Sequence, residues 1–231
     1  MNLNIYHHLG LGDHFDCNGM VRHYASNFDY DSIGVFAKSN YYEMVKYMYR
    51  DDERINVIKV DKNNEQGGVQ KYLLENTGHH FLKVGHEHYK NQENKNCWEI
   101  FYEQVDLPLE TRYEKFHVER DKEAEDLLYQ ELTNNEPYIF VHDDPSRGFT
   151  LDRSHIENKD IRIIENDVSK NIFYFIKIIE NAEEIHCMES SFKTLIDIYA
   201  KQEKLFFHNF RNHPLGTQSN KNWKTVNYET K

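Results

Sequence analysis

Short apolar runs and longer amphipathic stretches alternate along this chain. Strand-like runs fall at Leu3–Tyr6, Ser32–Phe36, Ile55–Val60 and Phe81–Val84, then again at Tyr138–His142, Ile161–Ile164, Glu184–Met188 and Leu205–His208. Between them, helical spacing of apolar residues predicts helices over His14–Ser26, Tyr41–Tyr49, Gly68–Asn76, Cys97–Val105, Asp121–Thr133, Ile172–Asn181 and Ser191–Ala200. Short strands alternating with amphipathic helices are what βαβ units and parallel sheets produce. The alternation occurs twice, and Asp106–Val118, with Pro108 and little periodicity, interrupts it. The expected fold class is therefore α/β, two Rossmann-like βαβ domains facing across a cleft. The expected bounds are residues 1–112 and 113–216, with the tail 217–231 packing back on the first domain through Trp223 and Val226.

Three strand-to-helix turns carry the candidate chemistry. The first is Tyr6-His7-His8-Leu9-Gly10-Leu11-Gly12-Asp13-His14, where two glycines stop the first strand just before a helix whose Cys17, Met20, Val21 and Tyr24 lie near one face. Such a turn brings backbone N–H groups close to a ligand. It lacks the third glycine of a dinucleotide fingerprint and has no Gly-Lys-Ser/Thr. It has an acid instead, Asp13, which suits chemistry on a hydroxyl group. The second turn, His142-Asp143-Asp144-Pro145-Ser146-Arg147-Gly148, follows a buried strand. Strand ends are where open α/β sheets bind ligands, and Arg147 suits a diphosphate through bidentate contact. An ordinary surface turn with an exposed arginine is the plainer alternative. In the third turn, Glu189-Ser190-Ser191-Phe192 opens a helix whose free N–H groups and dipole favour an anion. Taken alone, serines there are most often simple caps.

Composition narrows the field. At 231 residues the chain holds one large or two small domains, and 16 Tyr, 14 Phe and 2 Trp supply bulky core surface. A formal charge of −11 argues against a nucleic-acid binder, which needs a basic face. Cys17, Cys97 and Cys187 are far apart and form no CxxC pair, so neither a disulfide framework nor a thiolate zinc site is indicated. No apolar run reaches the ~20 residues of a membrane span, and the polar start is no signal peptide; the expected location is cytoplasmic. No GxSxG elbow is present.

Together the three turns resemble the GT-B class of glycosyltransferases, which use nucleotide-activated sugars. Gly12-Asp13 is similar to the opening of the bacterial heptosyltransferases, whose Gly-Asp carries the catalytic base. The run from His142 to Arg147 resembles in placement the His/Arg motif of fucosyltransferases of that fold. Ser190-Ser191 resembles the late turn that both groups use for the donor's phosphates, with Ser190 standing where heptosyltransferases typically have Gly. The resemblance implies a glycosyltransferase, of hexosyl- or heptosyltransferase type and serving polysaccharide biosynthesis, that moves a sugar from a nucleotide-sugar to a glycan or other hydroxyl acceptor. It implies an inverting, metal-independent reaction with no cofactor beyond the nucleotide-sugar substrate. Asp13 would be the base, with His14 or His8 sharing that role. Donor contacts would come from Gly12, His142, Asp143, Ser146, Arg147, Glu189, Ser190, Ser191 and Phe192. The long aromatic helices leave room for a homodimer.

Two other classes compete. One is a non-catalytic nucleotide- or sugar-binding module. The other is a metal-dependent hydrolase built on His7, His8, His14, His79, His80, His86 and His88 with Asp13, Asp16, Asp143 and Asp144, although no HExxH or facial-triad spacing supports it.

Overall fold

Every strand of the computed structural model pairs in parallel with its neighbours, in two separate sheets. The structure describes residues 1–86, 95–156, 159–210 and 219–228. The chain divides into two units, Met1–Glu119 and Arg120–Lys231. The division falls a few residues beyond the expected 112/113. The reason lies in Asp106–Val118, which is more than a linker. It holds a short helix, Thr111–Glu114, that belongs to the first unit.

In the first unit the order is β1(Asn2–Tyr6), α1(Leu11–Asn27), β2(Ser32–Lys38), α2(Tyr42–Met48), β3(Ile55–Val60), α3(Glu65–Glu75), β4(His80–Lys83), α4(Cys97–Glu103) and α5(Thr111–Glu114), with sheet order β3-β2-β1-β4. The central strands β1 and β2 are buried along most of their length, which explains the apolar run of β2; β1 carries one buried asparagine, Asn4, bonded to His79. Helix α1 is buried without a break from His14 to Arg22. One side carries Cys17 and Met20 against Phe101, Tyr102 and Val84. Three of its polar positions have matched partners. The Arg112 guanidinium donates to Asp16 Oδ1 at 2.5 Å, Asn18 brackets the His117 backbone through N–H and C=O, and Arg22 forks onto Asp51. Glycine at 19 is required by the close approach of α5, because a Cβ there would meet the Thr111 carbonyl oxygen at 2.3 Å.

The second unit runs α6(Lys122–Thr133), β5(Tyr138–His142), β6(Arg162–Glu165), α7(Ile176–Asn181), β7(Glu184–Met188), α8(Ser191–Tyr199), β8(Leu205–Asn209) and β9(Trp223–Asn227), with sheet order β6-β5-β7-β8-β9. Single 3-10 turns, Pro145–Arg147, Arg153–His155 and Ile172–Phe175, sit between them. The tail departs from expectation. Its segment Trp223–Asn227 is the edge strand of the second sheet, paired with β8, and residues 229–231 lie outside the described residues. Only Val226 of β9 is buried, so one-sided burial left no apolar run for the sequence to display. Side chains fix the strand instead. Trp223 Nε1 donates to Asp197 Oδ1 at 2.8 Å, and Lys221 Nζ donates to the Ala200 carbonyl at 2.8 Å.

A buried polar chain ties this edge to the sheet. Glu184 Oε1 lies 2.6 Å from His186 Nε2, His186 Nδ1 lies 2.9 Å from His208 Nε2, and His208 Nδ1 lies 2.7 Å from the Tyr228 hydroxyl. One assignment satisfies all of it: each imidazole carries its proton on Nε2 and the tyrosine donates to His208. Tyr228 in turn accepts the Asp152 N–H at 2.9 Å. Burial first, then the neighbouring imidazoles, pushes His208 down to about 3, and burial holds His7 and His142 at about 4.

These imidazoles are neutral in the fold and protonate more readily once unfolded. Stability should be full above the unfolded imidazole value near 6.5 and fall as pH drops from there toward 3–4. Each such histidine contributes up to about 1.4 kcal/mol of loss per pH unit. Urea unfolding at pH 7.5 and pH 5 checks this, with a lower midpoint expected at pH 5.

Candidate functional site

In the first unit, β1 ends at Tyr6 and the chain turns through His7, His8 and Leu9 to Gly10, the N-cap of α1. Asp13 is the third residue of the helix and folds back so that Oδ2 accepts the Gly10 N–H at 3.2 Å. The helix start welcomes a carboxylate there, since orphan N–H groups and the dipole both favour it. Yet the carboxyl is 24 % exposed, and desolvation, reinforced by the charge of Asp16 one turn on, pushes it up to about 7. The Gly10 N–H and the Lys38 ammonium oppose that rise without cancelling it. A carboxyl near 7 is what a base working on a hydroxyl requires.

Around it stand groups from three strand ends. His8 Nδ1 is 4.0 Å from Asp13 Oδ1, and its Nε2 donates to the Gly85 carbonyl at 2.7 Å. Lys38, ending β2, pairs with Glu65 at 2.8 Å. The His86 ring, following β4, stacks on Tyr6 at 4.2 Å and meets His8 edge-on at 5.0 Å. Gly12 lies between Leu11 and Asp13 in the first turn of α1.

His14 needs a correction. It is fully buried, its ring edge-on to His7 at 4.6 Å, and desolvation holds it well below the ordinary imidazole range. Neither ring nitrogen has a partner among the described residues. A neutral, sealed imidazole cannot relay a substrate proton, and the side chain that reaches Asp13 is His8.

In the second unit, His142 ends β5. Its Nδ1 is 2.8 Å from Asn166 Oδ1 and its ring lies 4.4 Å from Phe192. Its Nε2 is buried with no partner among the described residues. An amide can offer either oxygen or nitrogen to Nδ1, so the ring can carry its proton on Nε2 and donate there. Phe192 belongs to the first turn of α8, whose N-cap is Ser190. Ser190 makes no side-chain cap, because its hydroxyl donates to the Met188 carbonyl at 3.3 Å. Thus the amides of Ser191 and Phe192 open the helix without a side-chain acceptor, beside an imidazole with a spare nitrogen. Glu189 precedes them, half-buried; its carboxylate suits sugar hydroxyls and not phosphate.

Arg147 and Ser146 are placed differently from expectation. Both are bound to Asp144, through Arg147 Nε and Ser146 Oγ at 2.5 Å each. The hairpin is closed by mutual Asp144 and Phe149 backbone bonds, with Gly148 at φ 80. Arg147 is 47 % exposed, so the turn is a self-contained surface feature and its guanidinium is already paired. Asp143 is buried, accepting from Leu151 N–H and Arg153 Nη2 at 3.2 Å, and acts as a brace for the loop. The structure therefore brings His142 and Phe192 together and leaves Arg147 in its own turn. Sequence reasoning missed Lys38, Glu65 and Asn166, which carry no local motif.

The histidines of the metal reading are engaged elsewhere. His79 bonds Asn2 and Asn4 at 3.0 and 3.2 Å, and His80 bonds Tyr30 at 3.3 Å; His88 lies outside the described residues. Among the described residues no three His, Cys, Asp or Glu side chains converge as a metal-ligand set. Nor is any described helix long and apolar enough to cross a membrane.

A raised carboxyl costs stability where it must ionise. Because Asp13 binds its proton more tightly folded than unfolded, its contribution is retained below about pH 4 and lost as pH rises through 7. Asp13→Asn should therefore stabilise the protein at pH 8, by on the order of 2 kcal/mol, and leave it unchanged near pH 4. Thermal melts of both proteins across that range test the crossing.

No family model and no curated protein sequence matches the chain. Solved structures do. The chain matches E. coli ADP-heptose LPS heptosyltransferase II over 100% of its own length and 92% of that chain, with 10% identity and a TM-score of 0.64. It matches the glycosyl transferase family 9 protein of Veillonella parvula DSM 2008 over 100% and 87%, with 10% identity and a TM-score of 0.60. It matches E. coli heptosyltransferase WaaC with ADP over 99% and 94%, with 10% identity and a TM-score of 0.57. At that identity the common property is the architecture: the chain has the α/β fold of two parallel sheets found in these GT-B glycosyltransferases.

Proposed function

We propose that the protein is a glycosyltransferase that moves a sugar from a nucleotide-sugar donor to a hydroxyl acceptor, by an inverting, metal-independent displacement. The observation that carries this reading is the Asp13 carboxyl: held near 7, at the tip of β1, on a fold shared with heptosyltransferases. Asp13 takes the acceptor's O–H proton as that oxygen forms a bond to the anomeric carbon. The bond from that carbon to the donor's phosphate oxygen breaks, and the nucleoside diphosphate leaves with the electron pair. A single base and no protein nucleophile give inversion.

On the second unit, the Ser191 and Phe192 amides and His142 Nε2 supply donors for the leaving diphosphate, where negative charge grows in the transition state. Glu189 is suited to hydroxyls of the donor. Arg147 would have to leave Asp144 to take part, so its contribution is the smaller one. The non-catalytic alternative, a nucleotide-binding module, has the second unit in its favour but gives no use for a carboxyl held near 7.

The test is a thermal-shift screen with ADP, UDP and GDP followed by donor-hydrolysis and transfer assays. Asp13→Asn should lower turnover at least a thousandfold and leave nucleotide binding intact, and His142→Ala should weaken diphosphate binding roughly tenfold. Added EDTA should change neither. Normal turnover by Asp13→Asn would remove the carboxyl from the mechanism.

A further inference from the structure

A cavity of about 280 Å³ opens beside the strand tips of the first unit, between α3 and the edge of its sheet. One wall is aromatic. Tyr6 and Phe81 lie nearly parallel, 21° apart with centroids at 6.4 Å, and His86 stacks on Tyr6. Phe81 is 43 % exposed although it stands on a strand. The facing wall carries Gln66 and Gln70, one helical turn apart and therefore on the same face of α3. Val69 and Leu73 supply the apolar floor.

We infer that this cavity is a subsite on the acceptor side and that it takes a neutral sugar ring. The assignment as acceptor rests on the transferase reading; the choice of ligand rests on the cavity itself. Each glutamine amide both donates and accepts, which matches hydroxyls on adjacent carbons. An exposed aromatic face suits the C–H face of a sugar, apolar on one side and wet at its rim. The His86 ring donates to the His7 backbone, and its Nε2 is buried with no partner among the described residues. That nitrogen is an acceptor whose isolation is costly until a hydroxyl supplies the hydrogen.

Size and charge narrow the ligand further. The volume falls just under the range of about 300–1,000 Å³ typical of drug-sized ligands, which is room for a small saccharide. Lys83 lines the cavity, but no arginine does among the described residues, so the fork that reads carboxylates and phosphates is missing there. His86 meets His8, and His8 stands 4.0 Å from Asp13. A ring in the cavity is thus separated from the base by two imidazoles, His86 and His8.

Saturation-transfer NMR on the full chain tests this with methyl glucoside, methyl galactoside, methyl mannoside, glucuronate and glucose 6-phosphate, alongside ADP and UDP thermal shifts. At least one neutral methyl glycoside should bind, and Phe81→Ala and Gln70→Ala should each weaken it tenfold or more without altering the nucleotide shifts. Binding of only the anionic sugars, binding unchanged by both substitutions, or no saccharide binding overturns the inference. Nucleotide binding without saccharide binding sinks the cavity alone. Saccharide binding without any nucleotide effect removes the transferase reading and leaves the cavity as a sugar site.

Discussion

Everything at the strand tips of the first unit depends on the burial of helix α1. From His14 to Arg22 every residue of it is buried, so a polar side chain there must find a fixed partner or destabilise the fold. Asp16 takes Arg112, which is itself packed on Trp98 and Tyr113. Arg22 takes Asp51, and Asn18 takes the His117 backbone. These pairs anchor the helix in one position along its axis. They also set the charge that Asp13 feels, because Asp16 is held in place one turn away. Burial raises the Asp13 carboxyl first and the fixed charge of Asp16 second, so altering Arg112 would reach the site through Asp16 without touching Asp13.

The same logic explains what the sequence could and could not disclose. Strands β2 and β5 were legible because burial on both faces of a parallel sheet writes a nearly unbroken apolar run. Helix α1 was legible in its apolar half only; its buried Asp16, Asn18 and Arg22 read as surface residues until their partners, far off in the chain, are known. Strand β9 was illegible because an edge strand with one buried side chain has no pattern to show, and its anchors, Trp223 to Asp197 and Tyr228 to His208, are long-range. Asp13 could be singled out from its place after two glycines. His14 could not be told from His8, since two histidines on either side of a helix start differ only in which way they face.

Arg147 illustrates a different limit. Its sequence neighbours, a strand before and a glycine after, fit a ligand turn and a closed hairpin equally well. The decision is made by Asp144, three residues earlier, whose carboxylate takes both the guanidinium and the Ser146 hydroxyl. A local acid of that kind removes the need for an external anion. Pairing of an exposed arginine is weak, on the order of 1 kcal/mol or less, so a ligand of higher charge could compete for it.

The two units consequently bring different means to recognition. On the first, titratable groups gather at the strand tips, with one carboxyl near neutrality and imidazoles that burial keeps uncharged. On the second, the start of α8 offers backbone amides and an imidazole held at about 4, beside the Glu189 carboxylate. In a chain of formal charge −11, an anion approaches against the overall field. Recognition by amides and a neutral ring depends on geometry at contact distance and not on long-range attraction.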